Sequence, residues 1–435
     1  MNEIISYLIR FLIGEVLEDK INENILIGYT NDPKQFEKYN LVIIPSGFFN
    51  EDTYGKPSSL PLLPLVELEG IPIIYGSPEV EWVGDTLVVH ADLIASAYFL
   101  VSRYEEMIRR DVRDKHGRFP GKESLPYRAG FIHRPILDEY RLLIHQWLRE
   151  FQPELPEAGN HIYFINLTHD VDEPFLYRSW KGLIRSIRDG RGILCSLKGK
   201  FGKPVNDPFF TFPWLLDQNR QLSEKLEGVN TIAFFRAGGK TSFDKPHYSP
   251  GDRDINKLAR KFKKEGADIG LHVSYEAGLS PRLIEQEKEN MQMTWCEAVL
   301  DSRHHFLTCR EPEDMDYLEK AGIVWDYTMG YADVTGFRLG TGWNVQYINP
   351  VTRRLTDLKL TPLIIMDCTL ERDTYMGLSY DEAVAYSCQL IDNAWKAGGS
   401  ITFLWHNTSV VEGNGSYLRK LYPVLLDYII KICSK

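Results

Sequence analysis

Between residues 160 and 410 the chain alternates short β-branched or aromatic runs with helical stretches, and this alternation constrains the fold more than any other feature. The strand-like segments are "HIYFINLT", "NTIAFFRAGG", "ADIGLHVS", "RHHFLTC", "IVWDYT", "PLIIMDCTL" and "SITFLWHN". Helical apolar spacing falls between most of them, as in "INKLARKFKKEG" and "LIEQEKENMQMTWCEAVLD". Strands joined through helices pair in parallel, because the crossover brings the chain back to the end where the previous strand began. About seven such units fit a closed or nearly closed (β/α) barrel, TIM-like but distorted. In such a barrel, side chains that do chemistry project from the C-terminal ends of the strands.

A chain of 435 residues is too long for one ordinary core. Its first third carries shorter β-like runs ("ENILIGYT", "YNLVIIPSGFF", "GIPIIYG", "DTLVVHADL") and the helical "IASAYFLVSRYEEMIRR", which together predict a smaller α/β domain. "FIHRPILDEYRLLIHQWLRE" reads as its closing helix, and the Pro-, Gly- and Glu-bearing "FQPELPEAGN" as a linker. The expected division is residues 1–155 and residues 156–435. The opening "MNEIISYLIRFLIGEVLEDK" has Glu3, Arg10 and Glu15 within its apolar spacing. That pattern predicts an amphipathic helix rather than a signal-peptide core or a membrane span.

Charge and cysteine usage exclude further classes. A net charge of -10 lacks the excess of Lys and Arg that tracking a phosphate backbone requires, so no nucleic-acid partner is expected. None of the six cysteines forms a CxxC pair, which favours free thiols and a reducing, cytoplasmic setting.

Groups able to ligate a metal or move a proton recur where the strands stop: "HDVD", "LHVSYE", "RHHFL", "MDCT" and "WHN". A barrel would bring all five to one mouth. Each also has a plainer reading. "HDVDEP" suits an acidic turn, His272 a satisfied core histidine, His406 a rim residue with a structural hydrogen bond, and Asp326 and Asp333 turn or cap positions. The adjacent His304 and His305 point to opposite faces of a strand, so at most one points inward. Asp170 and Asp172 share a face if their strand continues.

Taken together, "LTHDVD", "IAFFRAGG", "EGADIGLHVSYEAG" and "FLWHN" resemble the NodB-homology polysaccharide deacetylases, the fourth carbohydrate esterase family, over about residues 160 to 410. With "RHHFL" and "MGYADVTGFRLGT" in this order, the chain is similar to a subgroup that carries an extra N-terminal domain of unknown function. The resemblance implies a metal-dependent hydrolase that removes N-acetyl or O-acetyl groups from an oligo- or polysaccharide in cell-surface glycan metabolism. It implies Asp170 as general base, Asp172 and His272 as metal ligands, and His406 as general acid. The mixture of His and carboxylate favours Zn2+. A cation among the acids would also explain their crowding, since it keeps neighbouring carboxylates ionised.

Two departures leave choices open. The family places a second histidine four residues after the first, where this chain has Glu276, so either Glu276 or His305 completes the ligand set. The family also has adjacent aspartates where this chain inserts Val171. An arginine often steadies the base, and Arg303 and Arg338 are the candidates. Arg338, in the Gly-rich "TGFRLGT", is preferred as part of the catalytic set. Two other readings stand beside the deacetylase: a glycan-binding or assembly protein that has lost tight metal binding, and an amidohydrolase acting on another C–N bond.

Residues 178–203 carry eight Lys or Arg against one Asp in an otherwise acidic chain. Trp180, Leu183, Ile184 and Ile187 follow helical spacing beside the basic face. The preferred reading is a helix docked on the barrel by its apolar side. The sharper one is a peripheral contact with a membrane surface or an anionic glycan.

Overall fold

The computed structural model describes residues 1–14, 19–178 and 180–434, together with the backbone but not the side chain of Trp180. The first helix, Asn2–Ile13, buries Ile4, Tyr7, Leu8 and Leu12, the i, i+3, i+4, i+8 stripe that an amphipathic helix turns to a core. It ends at Gly14, and the expected continuation through residues 15–18 lies outside the described residues.

Six strands follow: β1 (Ile27–Tyr29), β2 (Leu41–Ile43), β3 (Val66–Leu68), β4 (Ile71–Ile73), β5 (Gly76–Val83) and β6 (Thr86–Ala91). They form a sheet of order β1-β2-β6-β5 and a separate β3–β4 pair. Helices Leu93–Val101 and Ile136–Phe151 pack with it, and every residue of the first is buried. Asp92 starts that helix by accepting the Ala95 amide and also binds Ser46 and Tyr29, so one carboxylate ties three segments together. Residues 152–161 hold neither helix nor strand.

The second sheet comprises β7 (Ile162–Val171), β8 (Val229–Phe235), β9 (Asp268–Val273), β10 (Asp301–His304), β11 (Trp325–Asp326), β12 (Val345–Asn349), β13 (Arg354–Leu360), β14 (Ile365–Met366) and β15 (Gly399–Leu404). Its order is β12-β13-β11-β10-β9-β8-β7-β15-β14. Every neighbouring pair is parallel except β12–β13. Among the described residues this sheet thus has nine strands where the sequence predicts about seven. Among the described residues no pairing joins β12 to β14, so the sheet is open rather than a closed barrel.

The sheet nevertheless curls. Three strand spacings separate β7 from β10, about 14 Å in a flat sheet. Yet Arg303 on β10 reaches Thr168 Oγ1 (2.7 Å) and Asp170 Oδ1 (3.0 Å) on β7. Only a concave sheet brings those side chains together across its inner face. The outer face is apolar. Ile165, Leu167, Ile401, Phe403 and Trp405 pack with the C-terminal helix Leu418–Cys433. A second hydrophobic cluster runs without a break from Leu8, Tyr98 and Trp147 to Phe235, Phe262 and Met291, so the N-terminal elements share a core with one flank of the large sheet.

Candidate active site

The pleat of β7 sorts its side chains. Asn166, Thr168 and Asp170 face the concave side, with Asp172 next in that series just beyond the strand. His169 faces the helices, where its ring lies between the Trp405 carbonyl (2.8 Å) and Asn219 Nδ2 (2.8 Å). Burial pulls the His169 pKa down to about 4, as expected for a neutral structural ring. Asp170 and Asp172 therefore share a face despite the inserted Val171.

At the end of β9, His272 Nδ1–H donates to the Arg303 carbonyl (2.9 Å). The carbonyl can only accept, so Nε2 is the lone-pair nitrogen. It lies 3.1 Å from Asp172 Oδ1 and 3.6 Å from Asp170 Oδ2. His305 Nε2 lies 3.2 Å from the same Asp172 oxygen. β10 stops at His304, and the backbone then turns through positive φ at Phe306 and Leu307, so the two neighbouring histidines part. His304 Nδ1 is 3.3 Å from Thr328 Oγ1, while His305 turns into the cleft.

These three residues fit a divalent cation. Asp172 Oδ1 and His272 Nε2 are both buried with no hydrogen-bond partner, although each is an acceptor that should have one. A tetrahedral site with bonds of about 2.0–2.1 Å sets its ligand atoms about 3.3 Å apart. The measured 3.1 and 3.2 Å come close to that spacing. Asp367, Cys368 and His406 also cluster. There, however, His406 Nδ1 is already bonded to Asp367 Oδ1 (2.8 Å), and burial pushes the Cys368 thiol far from ionising.

Burial alone would raise the Asp172 carboxyl, but the His305 and His272 rings, when protonated, outweigh it and hold the group well below the usual carboxylate range. His406 moves the other way. Burial opposes its charge, yet the Asp367 carboxylate, helped by Asp172 and Asp170, lifts its pKa to about 9. His406 Nε2 is 3.7 Å from Asp172 Oδ2, at the edge of the ligand cluster.

The remaining sequence candidates lie elsewhere. Arg338 is buried against Glu106, with Nη2 2.8 Å from Oε1, and donates to the Gly330 carbonyl. Arg303 is the arginine that contacts Asp170. Glu276 accepts the Lys240 amide and belongs to no ligand cluster among the described residues. Asp326 accepts from Ser302 and Thr328, and Asp333 accepts the Gly121 and Lys122 amides.

Three contributors escaped the sequence reading. Asp367, at the end of β14, fixes the His406 ring and accepts its backbone N–H. Its signal was an acid directly after an apolar strand, visible in "MDCT" but given no role. Asp244, in the loop after β8, lies 3.5 Å from His305 Nδ1 and accepts the Tyr275 amide. Arg118, from the N-terminal third, pairs with Asp114 and donates to the Phe306 carbonyl at the cleft wall. No local pattern marks either of these two.

The cleft has a volume of about 200 Å³ and is lined by Asp170, Asp172, His305 and His406 together with Arg118, Arg372 and Tyr375. A larger cavity, about 590 Å³, lies near the opposite ends of the strands, between the first helix and Tyr163, Trp325 and Trp343. It contains none of the ligand cluster, so the smaller cleft is the candidate site. Residues 2–153 match a family of unknown function, DUF7033. No curated protein matches the chain.

Three solved structures are similar over most of their own length. A candidate polysaccharide deacetylase from Mycobacterium smegmatis is 14% identical over 65% of this chain and 86% of its own, with a TM-score of 0.38. A candidate polysaccharide deacetylase involved in O-antigen biosynthesis, from Bordetella bronchiseptica, is 12% identical over 61% and 82%, with a TM-score of 0.31. A polysaccharide deacetylase from Bacillus cereus is 11% identical over 62% and 87%, with a TM-score of 0.28. Likenesses this distant leave the reading of the site to its geometry.

Proposed function

We propose that residues 156–435 form a metal-dependent hydrolase that removes N-acetyl or O-acetyl groups from a glycan, with residues 1–155 as a unit that walls one side of its cleft. The observation that carries the reading is the convergence, at adjoining strand ends, of an Asp172–His272–His305 ligand set, an Arg303-bound Asp170 and an Asp367-bound His406. Asp172, His272 and His305 would hold the cation. When bound, a divalent cation such as Zn2+ supplies Lewis acidity toward the acyl carbonyl and makes the attacking water easier to ionise.

The chain's own residues supply the rest. Asp170 accepts the water's proton, and Arg303, bonded to Asp170 Oδ1, orients the carboxylate. His406 is held by Asp367 and charged at neutral pH, so it can donate a proton to the departing amine or alkoxide. Arg118, Arg372 and Tyr375 line the wall where the rest of a sugar would sit. The motif resemblance supports a glycan as the substrate class.

Incubating the purified protein with acetylated chito-oligosaccharides or acetylated bacterial polysaccharide and measuring free acetate tests the proposal. Acetate release that chelation abolishes and Zn2+ restores is the expected outcome. Metal binding without acetate release from any glycan would move the reading to another C–N bond. Glycan binding without bound metal would make it a binding protein.

A further inference from the structure

The basic segment forms a helical hairpin, Trp180–Arg188 and Ile193–Phe201, that is built inside out. Small and polar residues make its inner seam. Ser186 and Ser196 are both buried and their hydroxyls meet at 2.8 Å. Gly182 presses on the backbone of Leu176 and Tyr177, so a side chain there would collide with it. The apolar residues face outward: Ile184 is 67% exposed, Leu194 83% and Phe201 65%, with Ile187, Ile193 and Leu197 also exposed. Leu183 alone of the expected apolar face is buried, and the Trp180 side chain lies outside the described residues. The docked-helix expectation therefore fails at Ile184 and Ile187.

The base of the hairpin is fixed. Asp207 accepts the Leu176 and Tyr177 amides on the way in and the Phe209 amide on the way out, and Arg178 pairs with Asp254 at 2.7 Å. A firmly held hairpin that turns its largest apolar side chains to water needs something to cover them. Charge identifies the cover. The cations alternate with the exposed apolar positions (Arg185 beside Ile184, Arg188 beside Ile187, Lys198 beside Leu197), and this local excess stands against a chain charge of -10.

We infer that this hairpin is a docking surface for an anionic lipid bilayer, with its apolar side chains in the acyl boundary and its Lys and Arg heads among the phosphates. Each helix has nine residues, too few to span a bilayer, so the hairpin lies in the interface. Among the described residues, no helix is long and apolar enough to cross a membrane. The hairpin leaves the sheet just past Asp172, and Glu173, the next residue in the chain, lines the cleft. Docking therefore sets the cleft beside the membrane surface, whatever reaction the cleft performs.

Flotation of the full-length protein with phosphatidylcholine vesicles, with and without phosphatidylglycerol, tests the inference. The protein is expected to float with the anionic vesicles and remain behind with the neutral ones. Arg185→Gln, Arg188→Gln and Arg191→Gln together should weaken binding roughly 100-fold at low salt, at about fivefold for each charge. Ile193→Ser with Leu194→Ser should weaken it about tenfold or more, because the apolar anchors are lost. Circular dichroism and the thermal midpoint should stay unchanged in both variants, since these side chains are exposed.

No binding to anionic vesicles would overturn the inference. So would binding that ignores the serine exchanges, which would be surface adsorption without insertion. A concentration-dependent dimer in sedimentation velocity, abolished by the serine exchanges and accompanied by no vesicle binding, would assign the face to a second copy of the chain instead.

Discussion

Arg303 and Arg338 are both buried, and each binds a carboxylate from a distant part of the chain, but only one of those carboxylates lines the cleft. Glu106 is enclosed by two guanidiniums, Arg338 and Arg103, which outweigh its burial and hold its pKa down. That triad rivets the N-terminal elements to the loop before β12 and leaves no acceptor facing a ligand. Asp170 has a single guanidinium on one oxygen, and its other oxygen faces His272 at 3.6 Å. A saturated carboxylate holds structure together. A carboxylate with one free side can accept a proton. The partner of a buried arginine, more than its loop or strand setting, decides what the arginine does.

Exchanging the two arginines sharpens the contrast. The largest effect is expected at the proposed proton acceptor: Asp170→Asn should lower turnover by a factor of order 10² to 10⁴ while leaving metal content intact. Loss of metal in that variant would make Asp170 a ligand. Arg303→Met should approach the same loss of turnover, also with metal retained. Arg338→Met should instead cost about 2 kcal/mol of stability, because Arg103 still pairs with Glu106. Turnover per folded molecule should hardly change. An Arg338 variant with normal thermal stability and impaired turnover would reverse the comparison.

A smaller effect is expected at His406. Its folded pKa of about 9 lies above the ordinary histidine value, so the ring stays charged through neutral pH and loses its proton only as the pH rises through that range. Asp367→Asn removes the main charge that raises it. In metal-free protein followed by NMR, the His406 titration should therefore move to lower pH by about one unit or more. An unmoved titration would show that Asp367 merely holds the ring in place. The smallest effect is expected from Glu276→Gln, which should leave metal affinity within a few-fold because Glu276 binds the Lys240 amide. A large loss would return it to the ligand set.

Much of the site was legible because strand ends carry a positional rule. Once "HDVD", "GLHV", "RHHF" and "LWHN" sit at the ends of parallel strands, Asp170, Asp172, His272, His305 and His406 must converge. Asp244, Asp367 and Arg118 have no such rule, because each is defined by what lies opposite it after folding. Arg303 rather than Arg338 contacts Asp170 for the same reason: a Gly-rich loop suggests a cleft edge, whereas Glu106 draws that loop into the core. Strand counting missed the β12–β13 hairpin, whose two strands pair antiparallel without a helix between them, while β13 joins β11 in parallel. The hairpin at 180–201 misled in the opposite way. Its apolar spacing is that of a core-facing helix, and only the seam of Ser186, Ser196 and Gly182 reveals that the apolar side faces out.

Metal content tests the assignment of the cleft most directly. Purified protein, stripped with a chelator and dialysed against Zn2+, should retain one divalent ion per chain by inductively coupled plasma mass spectrometry. Asp172→Ala, His272→Ala and His305→Ala should each abolish that retention while remaining folded by circular dichroism. Full occupancy in all three variants, or no retained Zn2+, Co2+, Ni2+ or Mn2+ in the unaltered chain, would contradict it.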